Sequence, residues 1–402
     1  MSVIIKERYL EILELLEGRA LKSFLNKFNI SCPNSKADRR KKLIESLAEE
    51  TIDGKISLTA FESWIKRWYI PGNKNVFVYS LNNDTVKALK SIENTKLISD
   101  KYRENMGSIE DTERPEDPKL IMLEKHCVDG QVNKIELGFV QLGQLRDIDE
   151  DNDTIKWTPI SYYVYAEINL LEEQLYIWIE PTKKLHKLGQ LKKGSFQEVS
   201  ETYKQIIAAM FNLRFIDNNW ISRALYLMWE KDVKVIDENI QSKLEECRPE
   251  IKKLVDSHLK KLSIDKFTVE EVVEKISSLY EGLLIRQVGY STDNKDGFVR
   301  RHKVFDGTAT VETFNDLPLY NSSSHYGLQV IVNEVGEVNK LEYAWIKMVD
   351  DTAEEVITTI TVLRGCFVVN FSGYKDEEEI RHVLSGINEY KSQSISRISG
   401  EI

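Results

Sequence analysis

The spacing of apolar residues switches between a helical and a strand period along the chain. Tyr9, Leu10, Ile12, Leu13, Leu15 and Leu16 form an apolar helical face that ends near Gly18. Leu21, Phe24 and Leu25 mark a second short helix, and Leu43, Ile44 and Leu47 a third. Pro33 and Asn34 break the chain between them. A fourth helix starts after Ser57 or Thr59 and carries Phe61, Trp64, Ile65 and Trp68 at i, i+3, i+4 and i+7, one buried stripe. Residues 1–80 therefore read as a helical domain. Residues 81–118 read as one short helix followed by an acidic linker.

The period then shortens to two. Residues 120–127 and 132–140 flank Asp129-Gly130, a hairpin signal, and residues 162–168 and 175–179 flank a second turn. The acidic tract 146–153 between them reads as a loop. Helical spacing returns from about 195 to 285, opened by the capping boxes Ser195-Phe196-Gln197-Glu198 and Thr268-Val269-Glu270-Glu271. Strands are expected again at 304–314, 328–332, 341–348, 356–362 and 366–371. A closing helix is expected through Ile380, Val383, Leu384 and Ile387, and a frayed tail over 391–402. The fold class is α+β: an N-terminal helical bundle, then two antiparallel β-rich regions separated by a helical block. The expected segments are 1–80, 81–118, 119–285 and 286–402.

Composition narrows the function classes. A net charge of −10 argues against a surface coated with basic charge for bulk nucleic-acid binding, while leaving room for a local basic site. Cys32, Cys127, Cys247 and Cys366 are scattered without metal-ligand or redox spacing, which points to free thiols in a reducing compartment, the cytoplasm. The N-terminus lacks the apolar run of a secretory signal, and no window approaches the roughly 18 apolar residues of a membrane span.

Against this acidic background, Lys36, Arg39, Arg40, Lys41 and Lys42 crowd the start of the third helix, with Lys22 and Lys27 on the second. Together with Leu21, Phe24, Leu25, Phe28, Ile30, Leu43, Ile44 and Leu47, these residues resemble the SAP module, a helix-extension-helix DNA-binding motif. They depart from it at Asn34-Ser35, where that family usually has glycine. The resemblance implies that the second helix of the pair and the loop before it meet a phosphate backbone, DNA rather than RNA. Helix N-terminal amides and basic side chains both favour phosphate. The order of parts also resembles centromere protein N, in which a death-fold-like helical domain precedes a β-rich domain. That likeness gives the first domain a second use, protein assembly.

Two further basic patches are candidates: Lys183, Lys184 and Lys187, and Arg300, Arg301 and Lys303. With Lys66, Arg67 and Lys74, and with Trp68, Tyr69 and Trp178, they could line a groove that tracks a backbone. No pair of histidines has metal-ligand spacing on one face, and no nucleophile elbow, phosphate loop or dinucleotide fingerprint occurs. Neither a metal nor a cofactor is expected. The reading is a non-catalytic binding or adaptor protein, a subunit of a larger assembly, that contacts nucleic acid or an acidic protein. The alternatives are an assembly subunit without nucleic-acid binding, and a hydrolase or nuclease whose site is assembled from distant strands. For that enzyme His126, Asp129 and Glu136 are the candidates, with Glu124 nearby.

Overall fold

A computed structural model describes residues 7–48, 56–109, 111, 114–149, 154–182, 184–189, 191–192, 195–233, 238–288, 297–305, 310–314, 329, 331–349 and 352–400. The helices α1 (Glu7–Leu15), α2 (Gly18–Lys27), α3 (Lys36–Ala48) and α4 (Leu58–Lys66) open the chain. They are followed by β1 (Asn75–Leu81), α5 (Asn83–Lys90), α6 (Ile92–Arg103), β2 (Lys119–Val128), β3 (Gln131–Asp149), β4 (Thr154–Asn169), β5 (Gln174–Ile179), β6 (Leu185–Leu188) and β7 (Leu191–Lys192). Next come α7 (Phe196–Phe211), β8 (Phe215–Ile216), α8 (Trp220–Val233), α9 (Glu238–Lys261) and α10 (Val269–Val288). The strands β9 (Gly297–Phe305), β10 (Thr310–Phe314), β11 (Lys340–Val349), β12 (Thr352–Leu363) and β13 (Cys366–Phe371) precede α11 (Glu377–Gly400). The class is α+β with antiparallel strand pairs, and the order of parts is the expected one.

The chain divides into two compact units. The first comprises Met1–Asn218 with Val368–His382, the second Asn219–Phe367 with Val383–Ile402. The division falls inside the expected 119–285 segment, because α7 packs on β5 while α8 packs on β9 and β11.

In the first unit, α4 ends at Lys66, so Phe61, Trp64 and Ile65 share its inner side while the expected fourth member of the stripe, Trp68, lies past its end and is half-buried. Phe61 and Ile65 are buried, Trp64 stacks on Phe24 of α2 at 4.0 Å, and the Ser57 hydroxyl caps the helix by accepting from the Ala60 amide at 3.2 Å. The strands run β1-β5-β4-β3-β6-β7, with β2 on β3 and β8 on β1, all antiparallel. The Asp129-Gly130 turn joins β2 to β3 with both residues at positive φ (51° and 75°), the geometry of the favoured two-residue hairpin. β5 is buried along its whole length, and Tyr203 of α7 packs edge-on to Phe139 of β3.

In the second unit β10, β9, β11 and β12 pair antiparallel in that order. The buried Asp232 carboxylate of α8 accepts the Val299 amide of β9 at 2.7 Å. The helices α9 and α10 form a hairpin with its own small core of Ile251, Val255 and Val273.

Several local expectations are corrected. Residues 75–81 are a strand, not helix: Asn75–Leu81 is buried on both faces, so no alternation betrays it. Residues 81–118 hold two helices, because Ser91 ends α5 and also caps α6 through the Asn94 amide. Residues 146–149 continue β3 instead of forming a loop, since Asp147 lies opposite Lys156 and pairs with Lys184. Residues 329 and 331–335 are helical, against the strand expected over 328–332. Residues 391–400 extend α11: no proline interrupts them, and Ser394 turns its hydroxyl back to the Lys391 carbonyl. Residues 306–309, within the expected 304–314 stretch, lie outside the described residues. No helix among the described residues is long and apolar enough to cross a membrane.

Candidate functional site

The seven N-terminal candidates divide into two groups. Arg39 and Arg40 are turned to the protein itself. The Arg39 guanidinium donates to the Pro33 carbonyl at 2.7 Å and to the Gly18 carbonyl at 2.9 Å, fastening the start of α3 to the loop before it and to the start of α2. Arg40 pairs with Glu14 of α1. The lysines stay largely in solvent. Lys22 and Lys27 are exposed on α2, and Lys41 is exposed with only a long i,i+4 contact to Glu45. Lys36 is exposed and donates to the Glu14 carbonyl at 2.8 Å, and Lys42 is half-buried. The first turn of α3 is already served from within, because the Ser35 hydroxyl accepts the Asp38 amide and donates to the Asp38 carboxylate. Its N-terminal charge is therefore partly met by Asp38. The arginines act as braces, while Lys22, Lys27 and Lys41 stay in solvent.

The secondary patches are less coherent. Lys183 lies outside the described residues. Lys184 is exposed and held by Asp147, and Lys187 is half-buried on β6. Arg300 and Arg301 face Glu342, Arg301 also faces Glu312, and Lys303 is half-buried on β9 opposite Glu312. The proposed groove does not form. Lys74, Tyr69 and Trp178 are interior, and Arg67 is committed to carboxylates.

The residues that sequence reasoning underrated sit in a row across three strands of the first unit. Glu124 of β2 lies directly opposite Glu136 of β3, which lies directly opposite Glu167 of β4. Like charges facing across strands repel, and burying them costs more. Cations from outside the row neutralise it. Arg67, just past the end of α4, reaches both Glu136 oxygens at 3.1 and 3.2 Å and Glu124 at 3.3 Å. Arg381 of α11 holds Glu167 at 2.6 Å, Glu136 at 3.3 Å and Glu377 at 2.9 Å. Lys134, His126 and the Tyr165 hydroxyl complete the set around Glu136 at 2.9, 2.7 and 2.6 Å.

The electrostatics follow from this geometry. Burial alone would raise the Glu136 carboxyl, but hydrogen bonds from Arg67, Tyr165 and Lys134 hold it far below the usual carboxylate range. Burial would likewise lower the Arg67 and Arg381 guanidinium groups, and their carboxylate partners hold them above normal. Burial pushes the Tyr165 hydroxyl up, with Glu167 and Glu136 adding to the rise. Gly138 belongs to the same construction: any side chain there would collide with the Tyr69 hydroxyl.

Two of the three enzyme candidates, His126 and Glu136, do meet, joined by Glu124. Their donor atoms lie within 4.8 Å of one another, close enough to share a cation. Arg67 Nη1 already stands between the two carboxylates, so the guanidinium supplies the positive charge a metal would bring. Asp129 is in the turn beyond the strand ends. A cleft of about 360 Å³ opens beside the row, walled by Ser63, Lys66, Arg67, Tyr69, Met122 and Glu124. The chemistry of the row is that of a clamp joining α4, three strands and α11.

Of the remaining histidines, His258 and His382 are exposed on helices, and His325 lies outside the described residues together with 322–324 and 326. All four cysteines are free thiols, with Cys366 buried. The sequence matches no protein-family model, and no curated protein matches it.

Proposed function

We propose that the chain is a non-catalytic binding protein, a subunit of a larger assembly, whose α2 and α3 helices meet the phosphate backbone of DNA. The observation that carries this reading is the local charge. Between Gly18 and Ala48 stand eight basic and two acidic residues, in a chain whose net charge is −10. Two arginines of that set are spent on fastening α3, and Lys22, Lys27 and Lys41 are left facing solvent.

Lysine is a compact point charge without the planar fork that reads base edges. The contact is therefore to backbone, independent of sequence and weakened by salt. Fluorescence anisotropy of a labelled DNA duplex tests this. The wild-type chain should bind at low salt, and the combined change Lys22→Glu, Lys27→Glu and Lys41→Glu should remove binding without altering the thermal melt. Equal binding by both proteins, or no binding by the wild type, contradicts the reading. A wild type that ignores DNA yet captures an acidic protein through the same lysines would move the function to protein assembly.

A further inference from the structure

The α9–α10 hairpin of the second unit carries more apolar surface than it uses. Its helices are 24 and 20 residues long, and Ile251, Val255 and Val273 make the small core between them, with Ile240 and Leu244 of α9 also buried. Cys247 and Leu254 stand seven residues apart, two turns of one stripe on the outer side of α9. Cys247 is exposed and Leu254 is 56% exposed. Across the seam Tyr280 and Leu283 of α10 are 43% and 54% exposed. Between the helices runs a groove of about 340 Å³, lined by Leu244, Cys247, Tyr280, Leu283 and Leu284 with Lys243 and Glu246 at its rim. An apolar stripe of this kind on an amphipathic helix is normally covered by another helix.

Charge indicates what covers it. The whole hairpin, residues 238–288, holds nine basic and ten acidic residues, a net charge of −1. A second copy approaching here meets little repulsion. Along α9 the charge is segregated: residues 238–250 hold four acidic and two basic residues, and 251–261 hold four basic and one acidic. Antiparallel pairing of α9 with itself sets each acidic half against the basic half of its mate. The self-complementary patch of a twofold dimer has this form.

We infer that the hairpin is a self-association surface, and that its occupant is the α9–α10 hairpin of a second copy of this chain. The twofold axis passes beside Leu254, which packs on its own counterpart. The exposed Glu246 of one copy comes opposite the exposed Lys261 of the other, with the exposed Glu250 and Lys253 nearer the axis. The four helices close a bundle that covers Cys247, Tyr280 and Leu283. This inference is independent of the DNA-binding reading, since it concerns other helices in the other unit.

Sedimentation equilibrium of the full chain tests it. The wild type should sediment at twice the 46.7 kDa chain mass, and Leu254→Glu at the chain mass, with unchanged circular dichroism. Combining Glu246→Lys with Glu250→Lys should weaken association by about tenfold, roughly 1.4 kcal/mol. Adding Lys253→Glu and Lys261→Glu to the same chain should restore it. That restoration decides the matter even if the Leu254 variant fails to fold. A wild type that stays at the chain mass throughout the micromolar range overturns the inference. So does association that none of the charge reversals moves.

Discussion

Glu136 shows how much a single residue can bind together. Its carboxylate is fully enclosed and touches Arg67, His126, Lys134, Tyr165 and Arg381. Changing it to glutamine leaves two half-buried guanidinium groups, Arg67 and Arg381, facing a neutral amide. Breaking a buried pair from one side costs about 3–5 kcal/mol. Glu136→Gln should lose about that much stability in urea titration, and a loss near zero would mean the row is not a clamp. The charge of Glu136 was legible as an acidic residue inside the apolar strand Lys134-Ile135-Glu136-Leu137. Its partners were not, because Arg67 and Arg381 lie 69 and 245 residues away in the chain. His302 illustrates the reverse case. It is fully enclosed beside Trp229, and burial pushes its imidazole down to about 4, against the pull of Glu312. A group with a lowered folded pKa costs nothing above its unfolded value near 6.5 and becomes unfavourable as the pH falls. Stability should therefore drop by about 3 kcal/mol between pH 6.5 and 4 beyond the general acid effect. A His302→Phe chain should lack that component, and identical pH profiles for the two chains would contradict it.

Among the elements, those with a local signature were the readable ones. The Ser195 and Thr268 capping boxes start α7 and α10 as their sequences require. The Asp129-Gly130 hairpin stands where the dipeptide places it. Elements whose identity rests on tertiary burial were hidden. β1 is a continuous apolar run that could be strand or buried helix, and only its pairing with β5 decides. The basic helix α3 was legible as a helix and as a charge cluster. What the charges do was not, because the carbonyl of Gly18 that receives Arg39 belongs to another helix. The braces give an element-scale prediction. Arg39→Ala removes two hydrogen bonds from a charged donor and should destabilise the first unit by about 2 kcal/mol. Lys41→Ala, fully in solvent, should change stability by less than about 0.5 kcal/mol. Thermal melts of the two chains check the division between brace and face, and equal losses would erase it.

At the scale of the whole molecule, charge is unevenly distributed. Positive charge gathers on α2 and α3, and opposite charges interlock in the Glu136 row. Composition gave only the total, and the folded arrangement assigns each part. The central claim is that the solvent-facing lysines of the N-terminal helices hold a phosphate backbone. The salt dependence of DNA affinity addresses it most directly. With Lys22, Lys27, Lys36 and Lys41 each neutralising one phosphate, log K against log salt should fall with a slope of roughly −3 to −4. Reversing Lys22, Lys27 and Lys41 should abolish the binding, while Arg39→Ala should lower stability and leave the slope in place. A wild-type affinity indifferent to salt, or a slope unchanged by the three lysine reversals, would contradict the account.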